Sequence, residues 1–329
     1  MDTLVSVILP TYNVKPYLAA CLDSLLAQTY ENIEIIVVID GATDGSYEIA
    51  LDYEKNDARV QVIWQENAGS GPARNNGLSC AKGEYIIFVD PDDYVDTNMV
   101  EILLQAQIKH PVDLVVSGYE TFYENNSKPG SRTNYRSELL TDTESARRKY
   151  IEYLSKGLLG APTRKLYRAD IIRKNSVCFP DLRRSQDIVF NYRYFMFVNS
   201  MYLTDQVFYH YRVDEKQYTL KLKKDYYKTL AFIFDEITTM CDNWKVGYNH
   251  NDYQQLADFF YSSIISNIEA NLHRKESITE LLNNDTIQKI CRLTSACRMD
   301  QKLFKIAICS KFEWLVKGLA TLKRYIKNY

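Results

Sequence analysis

Three carboxylates stand within four residues in Asp90-Pro91-Asp92-Asp93. Charges of one sign at that spacing repel, so the cluster is favourable when a cation joins it. A divalent ion held by one or two carboxylates plus substrate phosphate oxygens is the common arrangement, and an all-oxygen site selects Mg2+ or Mn2+. The plainer alternative has one aspartate capping the next helix, a role that suits Asp93, with the others solvated. A second segment, Asn67-Ala68-Gly69-Ser70-Gly71-Pro72-Ala73-Arg74-Asn75, places a glycine turn at a helix start with an arginine one turn in. That arrangement suits approach to a nucleotide or phosphate, although Arg74 could equally pair with a surface carboxylate. It is not a dinucleotide fingerprint, because Arg74 fills the third glycine position, and there is no Walker-type segment. Asp40 ends an apolar run, where its carboxylate can accept from a base or sugar donor or form an Asx turn with Gly41. The four histidines, His110, His210, His250 and His273, are scattered, which gives a histidine metal site or a Ser-His-Asp hydrolase no support.

These residues need a scaffold that brings them together. Apolar, β-branched runs at 4–9, 33–39, 60–64 and 84–89 are each followed by a segment with apolar residues at helical spacing, as in Leu18, Cys21, Leu22, Leu25 and Leu26. A fifth run at 112–117 follows a helix expected around 100–108. Alternation at this density predicts βαβ units with right-handed crossovers, hence an α/β fold with a mostly parallel sheet and helices on both faces. Open sheets of this kind bind ligands beyond the carboxyl ends of their strands. Those ends carry Pro10-Thr11-Tyr12-Asn13, Asp40 to Ser46, Asn67 to Asn75 and Asp90 to Asp93, four polar or glycine-rich turns in succession.

Ser6-Val-Ile-Leu-Pro-Thr-Tyr-Asn13, Ser24-Leu-Leu-Ala-Gln-Thr-Tyr30, Glu34-Ile-Ile-Val-Val-Ile-Asp-Gly-Ala-Thr-Asp-Gly-Ser46, the Asn67 to Asn75 segment and Asp90 to Asp93 together resemble the family 2 glycosyltransferases. These are inverting enzymes of GT-A fold, and the resemblance runs in order over residues 4 to 215. It is strongest to the bacterial branch that builds surface polysaccharides one sugar at a time. The resemblance implies that Pro10, Thr11, Tyr12 and Asp40 hold the nucleotide, usually uridine, with Asn67 and Arg74 assisting. Asp90, with Pro91 beside it, would face the ribose or donor sugar, and Asp92 would bind Mn2+ or Mg2+ on the diphosphate. The family's base is the aspartate of a Glu-Asp pair before an aromatic helix. The segment Phe179-Pro180-Asp181-Leu182-Arg183-Arg184-Ser185-Gln186-Asp187-Ile188-Val189-Phe190 fits, making Asp187 the base, with Asp181 a rival carboxylate and helix capping an alternative for Asp187. Gln186 departs from the family glutamate, and Ile39 from a common second acidic residue. Lys165, Tyr211 and Arg212 echo further family segments. The implied chemistry is a single displacement in which Asp187, already ionised at neutral pH as an ordinary aspartate, takes the acceptor's proton.

Composition sets the outer limits. The chain has 329 residues, 46% hydrophobic, with 40 basic and 42 acidic side chains, which excludes a disordered tail or a uniformly basic nucleic-acid binder. Seven cysteines without a Cys-x-x-Cys pair suit reduced thiols, no leader precedes the first apolar run, and no span reaches the roughly 20 apolar residues of a membrane helix. A cytoplasmic protein is expected, with residues 1–215 as a GT-A domain (1–117 binding the nucleotide-sugar, 118–215 on the acceptor side) and 216–329 helical. The last 29 residues hold seven basic residues against Glu313, whereas the preceding 300 hold 33 basic and 41 acidic. Ile308, Phe312, Leu315, Leu319, Leu322 and Ile326 form a narrow stripe there. Such a segment can lie on the cytoplasmic face of a membrane carrying lipid-linked saccharide acceptors, or pack on neighbouring helices or a second subunit. Rival functions are a non-catalytic nucleotide-sugar binder of the same fold and a sugar nucleotidyltransferase. A processive synthase is disfavoured by the lack of a Gln-x-x-Arg-Trp segment.

Overall fold

The computed structural model describes residues 3–123, 130–133, 135–213, 225–273 and 277–327. The chain divides into two compact units, one of residues 1–146 and 158–214, the other of residues 147–157 and 215–329. The first unit is built on strands β1 (Val5–Thr11), β2 (Ile33–Asp40), β3 (Val60–Gln65), β4 (Tyr85–Phe88), β5 (Tyr94–Val95), β6 (Leu114–Phe122), β7 (Arg132–Thr133), β8 (Glu138–Leu140), β9 (Lys165–Arg168) and β10 (Met201–Arg212). They form one sheet in the order β3-β2-β1-β4-β9-β6-β10-β5, with β7 against β6 and β8 against β10. Strands β1 to β4 run parallel, as do β6 and β10, while β9 is antiparallel to both β4 and β6. β1 is buried along its whole length, which is why it reads as an unbroken apolar run rather than an alternating one.

Helices α1 (Lys15–Leu26), α2 (Ser46–Asn56), α3 (Ser70–Cys80), α4 (Met99–Lys109), α5 (Thr143–Ser155), α6 (Ala169–Lys174) and α7 (Gln186–Phe195) connect the strands. α1 starts on Pro16, whose fixed φ suits a first helical turn, and buries Leu18, Cys21, Leu22 and Leu25 at the expected spacing. The fifth apolar run does not sit beside β4 as simple alternation suggests. The four-residue β9 intervenes, too short and too charged at its ends to stand out by periodicity. Because β9 runs antiparallel, its beginning at Lys165 lies toward the carboxyl end of β4 and beside Val116 of β6.

The second unit contains α8 (Tyr226–Trp244), α9 (His250–His273), α10 (Thr279–Asn283), α11 (Asp285–Leu293), α12 (Met299–Cys309) and α13 (Glu313–Lys327), together with residues 147–157, which include most of α5. α8 buries Tyr227, Leu230, Phe234 and Ile237. The expected terminal stripe is not one surface. Lys311 has φ +59 and breaks the segment into two helices, so Ile308 is buried in α12, Phe312 and Leu322 are exposed, and α13 packs through Val316 and Ala320. The side chains of Arg324, Ile326 and Lys327 lie outside the described part. All seven cysteines are free thiols. Among the described residues no helix is long and apolar enough to cross a membrane.

Candidate active site

The turns after β1 and β2 are tied together by their own polar side chains. Asn13, at φ +50, accepts from the Thr43 amide (2.9 Å). Asp44 accepts from the Lys15 amide (2.8 Å) and from the amide and hydroxyl of Ser46 (3.0 and 2.6 Å). Pro10 and Thr11 are buried beneath this junction, and Tyr12 alone of the three presents an open ring face at its rim. Stacking on a planar base is what such a ring offers.

Asp40 does something other than expected. Its side chain is buried (2% exposed), and its carboxylate accepts from the Gln65 amide group and the Ala68 backbone amide at one oxygen and from the Gly69 amide at the other, all at 2.8 Å. These donors all come from the protein's own neighbouring turn and strand. The Asp40 carbonyl accepts from the Asn67 side chain (3.0 Å), so Asn67 is likewise spent on the turn. Gly41 is required here. Its φ is +66, and an added Cβ would stand 2.8 Å from the Asn67 amide nitrogen. Asp40 therefore shapes the glycine turn that opens α3. Asp40→Ala leaves the part-buried Ala68 and Gly69 amides and the Gln65 amide group without their acceptor and, with three hydrogen bonds lost, is expected to cost about 2 kcal/mol of stability. Thermal unfolding should show a fall of roughly 5 °C, and an unchanged midpoint would show that other contacts hold the turn.

The acidic turn is sorted by its neighbours. Asp93 is not a helix cap, since α4 begins only at Met99. It accepts from the Tyr209 hydroxyl (2.6 Å) and the Arg212 amide (2.8 Å) and so ties the turn to β10. Tyr209 Oη also accepts from the Asp90 amide (3.1 Å), a buried anchor that sequence reasoning passed over because it sits inside an apolar strand. Pro91 is buried. Arg212 donates to the Asp92 carbonyl (2.8 Å), with its guanidinium over the rings of Tyr17 and Phe122 at 4.3 and 4.7 Å. Asp92 receives no donor on its carboxylate from any described side chain. Burial, and then the Asp90 charge, push its pKa up to about 6. Burial and the same neighbours raise Asp93 as well. A carboxylate held in this strained charge state is what a divalent cation relieves. No cluster of three ligating residues exists among the described residues.

Arg74 is the centre of the site. Its side chain is 4% exposed, and it donates to Asp90 (2.7 Å) with one terminal nitrogen and to Asp187 (2.8 Å) with the other. Residues 113 positions apart in the chain are thus gathered by one guanidinium. Burial alone would lower the Arg74 pKa, but Asp187 and then Asp90 outweigh it and keep the group charged. Asp187, its side chain 36% exposed, lies in the first turn of α7 and is not its cap, because Ser185 holds that position. Burial raises the Asp187 pKa, against the opposing pull of Arg74 and with a contribution from Asp90. The expectation of an ordinary aspartate is corrected to that extent.

The seat of α7 is rigid. Asn75 exchanges two hydrogen bonds of 2.8 Å with the backbone of Phe179. Phe179 stacks on Phe190 (4.1 Å, 5°), both rings meet Phe88 edge-on, and the Arg74 guanidinium lies 5.3 Å from the Phe179 centroid. Gln186 is buried and donates to Ser70 Oγ at the start of α3. An added Cβ on Gly71 would come 2.9 Å from Gln186 Oε1, so the two helix starts approach as closely as glycine permits. The departure from the family glutamate is thereby accommodated by a hydroxyl partner. Asp181 is exposed. Lys165 is fully buried and donates to the Ala161 carbonyl. Burial, with Arg164 adding, holds its pKa well below that of a free lysine, while Asp187 pulls the other way.

The chain resembles known proteins in sequence and in fold. The family model described as Glycosyl transferase family 2 matches residues 6–175. The chain is 36% identical over 246 residues to the "Uncharacterized glycosyltransferase EpsJ" of Bacillus subtilis (strain 168), covering 70% of each chain. It is 31% identical over 186 residues to the "Putative teichuronic acid biosynthesis glycosyltransferase TuaG" of the same organism, covering 56% of this chain and 69% of that one. Among solved structures, S. aureus TarS 1–349 in complex with UDP-GlcNAc superposes with a TM-score of 0.70 at 19% identity, covering 98% of this chain and 91% of that one. The last likeness concerns the fold, a mixed α/β GT-A-like sheet with a C-terminal helical region.

Proposed function

The chain belongs to glycosyl transferase family 2 and is a glycosyltransferase, and from that premise we propose that its first unit moves a sugar, with inversion, from a UDP-linked donor to an acceptor hydroxyl. The acceptor is a saccharide or lipid-linked saccharide in bacterial polysaccharide or glycolipid assembly, consistent with the name of TuaG. The observation that carries the proposal is the single guanidinium of Arg74 holding Asp187 and Asp90 at the carboxyl edge of the sheet, beside Asp92.

Tyr12 offers its ring to the base, and the turn shaped by Asp40, Gly41 and Asn67 fixes the backbone along which the nucleotide lies. Asp90 accepts from ribose or donor-sugar hydroxyls. Asp92 is the residue that would hold Mn2+ or Mg2+, and a bound cation would neutralise the charge that grows on the departing diphosphate. Asp187 accepts the proton of the acceptor hydroxyl as that oxygen attacks the anomeric carbon from the face opposite the leaving group. Arg74 keeps this carboxylate ionised and aimed, and Gln186 with Phe179 fixes the helix that carries it.

A thermal-shift screen of nucleotide sugars with and without Mn2+ identifies the donor, and product analysis then tests the reaction. Release of free nucleoside diphosphate together with a new glycoside is expected. Formation of pyrophosphate from a sugar phosphate would mean nucleotidyl transfer instead. Asp92→Asn is expected to abolish the Mn2+-dependent part of the UDP shift and retain the metal-independent part. An Mn2+ response equal to that of the unmodified protein would assign the cation to other ligands.

A further inference from the structure

In the second unit, the segment from Met299 to Leu322 contains six of the fourteen large hydrophobic side chains exposed among the described residues. Met299, Leu303 and Ile306 recur at i, i+4 and i+7 and form one outward stripe of α12, while Phe304, Ala307 and Ile308 fill its inner side. Phe312 and Trp314 follow directly at the break, their ring centroids 6.1 Å apart and Trp314 70% exposed. Exposed apolar side chains gathered this densely mark a surface that meets another phase or another molecule.

Charge decides between these. Lys302, Lys311 and Lys317 are exposed on the same segment, the last of them shared with Glu313 at 2.7 Å. The acids there already have partners: Asp300 pairs with Arg298 and Lys323, and Glu313 accepts from Lys317 and from Thr279. A second copy of this chain docked by the same patch would set lysines against lysines. An anionic lipid surface complements both features, with lysines at the headgroups and a tryptophan, a phenylalanine and aliphatic side chains at the acyl boundary. We propose that the outer stripe of α12 with Phe312 and Trp314 at the start of α13, framed by Lys302, Lys311 and Lys317, docks the protein on an anionic membrane surface. The apolar contact is made by α12 and the junction, not by a continuous stripe of α13.

Flotation of the full chain tests this without any nucleotide sugar, so its outcome is independent of the transfer reaction. Vesicles of phosphatidylcholine with phosphatidylserine should carry the protein upward, and vesicles of phosphatidylcholine alone should carry far less. Ile306→Glu with Trp314→Glu should abolish flotation. Lys302→Glu, Lys311→Glu and Lys317→Glu together should reduce partitioning by roughly a hundredfold. All these positions are solvent-facing, and circular dichroism of each variant verifies that it is folded. Equal flotation of the variants and the unmodified chain, or no flotation on anionic vesicles, would overturn the proposal. So would a concentration-dependent dimer, seen by light scattering and dissolved by the same substitutions, since the face would then belong to a second copy.

Discussion

Asp187→Asn is expected to lower sugar transfer by between about a hundredfold and ten-thousandfold, the range for loss of a positioned general base, with UDP binding nearly intact. The substitution is close to isosteric and keeps an oxygen that can accept from Arg74, so the Arg74 pair with Asp90 and the seat of α7 survive. What disappears is the capacity to take a proton. Transfer rate and UDP titration, measured on the same preparation, separate the two effects. If the variant transfers at the unmodified rate, the base lies elsewhere, and Asp181 on the exposed turn before α7 is the next carboxylate to replace.

The second large effect is expected from Arg74→Gln. Two carboxylates then face each other without the cation that joins them. Both are about one-third exposed, so water screens part of the loss, and the stability cost is expected to be about 2 kcal/mol rather than the 3–5 kcal/mol of a fully buried pair. The kinetic signature is sharper. Asp187 must be unprotonated to act, so transfer falls as pH drops through its pKa. That pKa is already raised by burial and is held down by Arg74 before any other neighbour. Removing the guanidinium should move the acid limb of the pH–rate profile to higher pH and weaken donor binding as well. Arg74→Lys restores one charge without the fork, so it should recover part of the limb's position. If Arg74→Gln weakens donor binding with the acid limb in place, Arg74 serves the nucleotide alone.

Much of the scaffold was legible because it is written locally. The runs at 4–9 and 33–39 are apolar throughout since the strands they form are covered on both faces, and α1 keeps a 3.6-residue stripe. The strand-end rule then placed Asp40, Asn67, Arg74 and the acidic turn at one edge of the sheet. It could not say which way each side chain turned. Asp40 and Asn67 are occupied with backbone groups of neighbouring turns, and Asp93 with β10, because the sheet order brings those donors within reach. The basic tail illustrates the same limit: its spacing was read correctly as helical, but one residue at positive φ divided it and exchanged the faces.

Sequence by itself determined the family, the alternation of strand and helix, and the residue types available at the pocket. These depend on side-chain chemistry and on periods of two to four residues. Only the tertiary structure decided that Arg74 links Asp90 to Asp187, that Gln186 answers Ser70, and that Lys165 is sealed inside. The first two pairings join elements far apart in the chain, and Lys165 lies on β9, which the fold inserts between β4 and β6. Charge and hydrogen-bond energies act over a few ångströms, and it is the fold that sets which residues come that close.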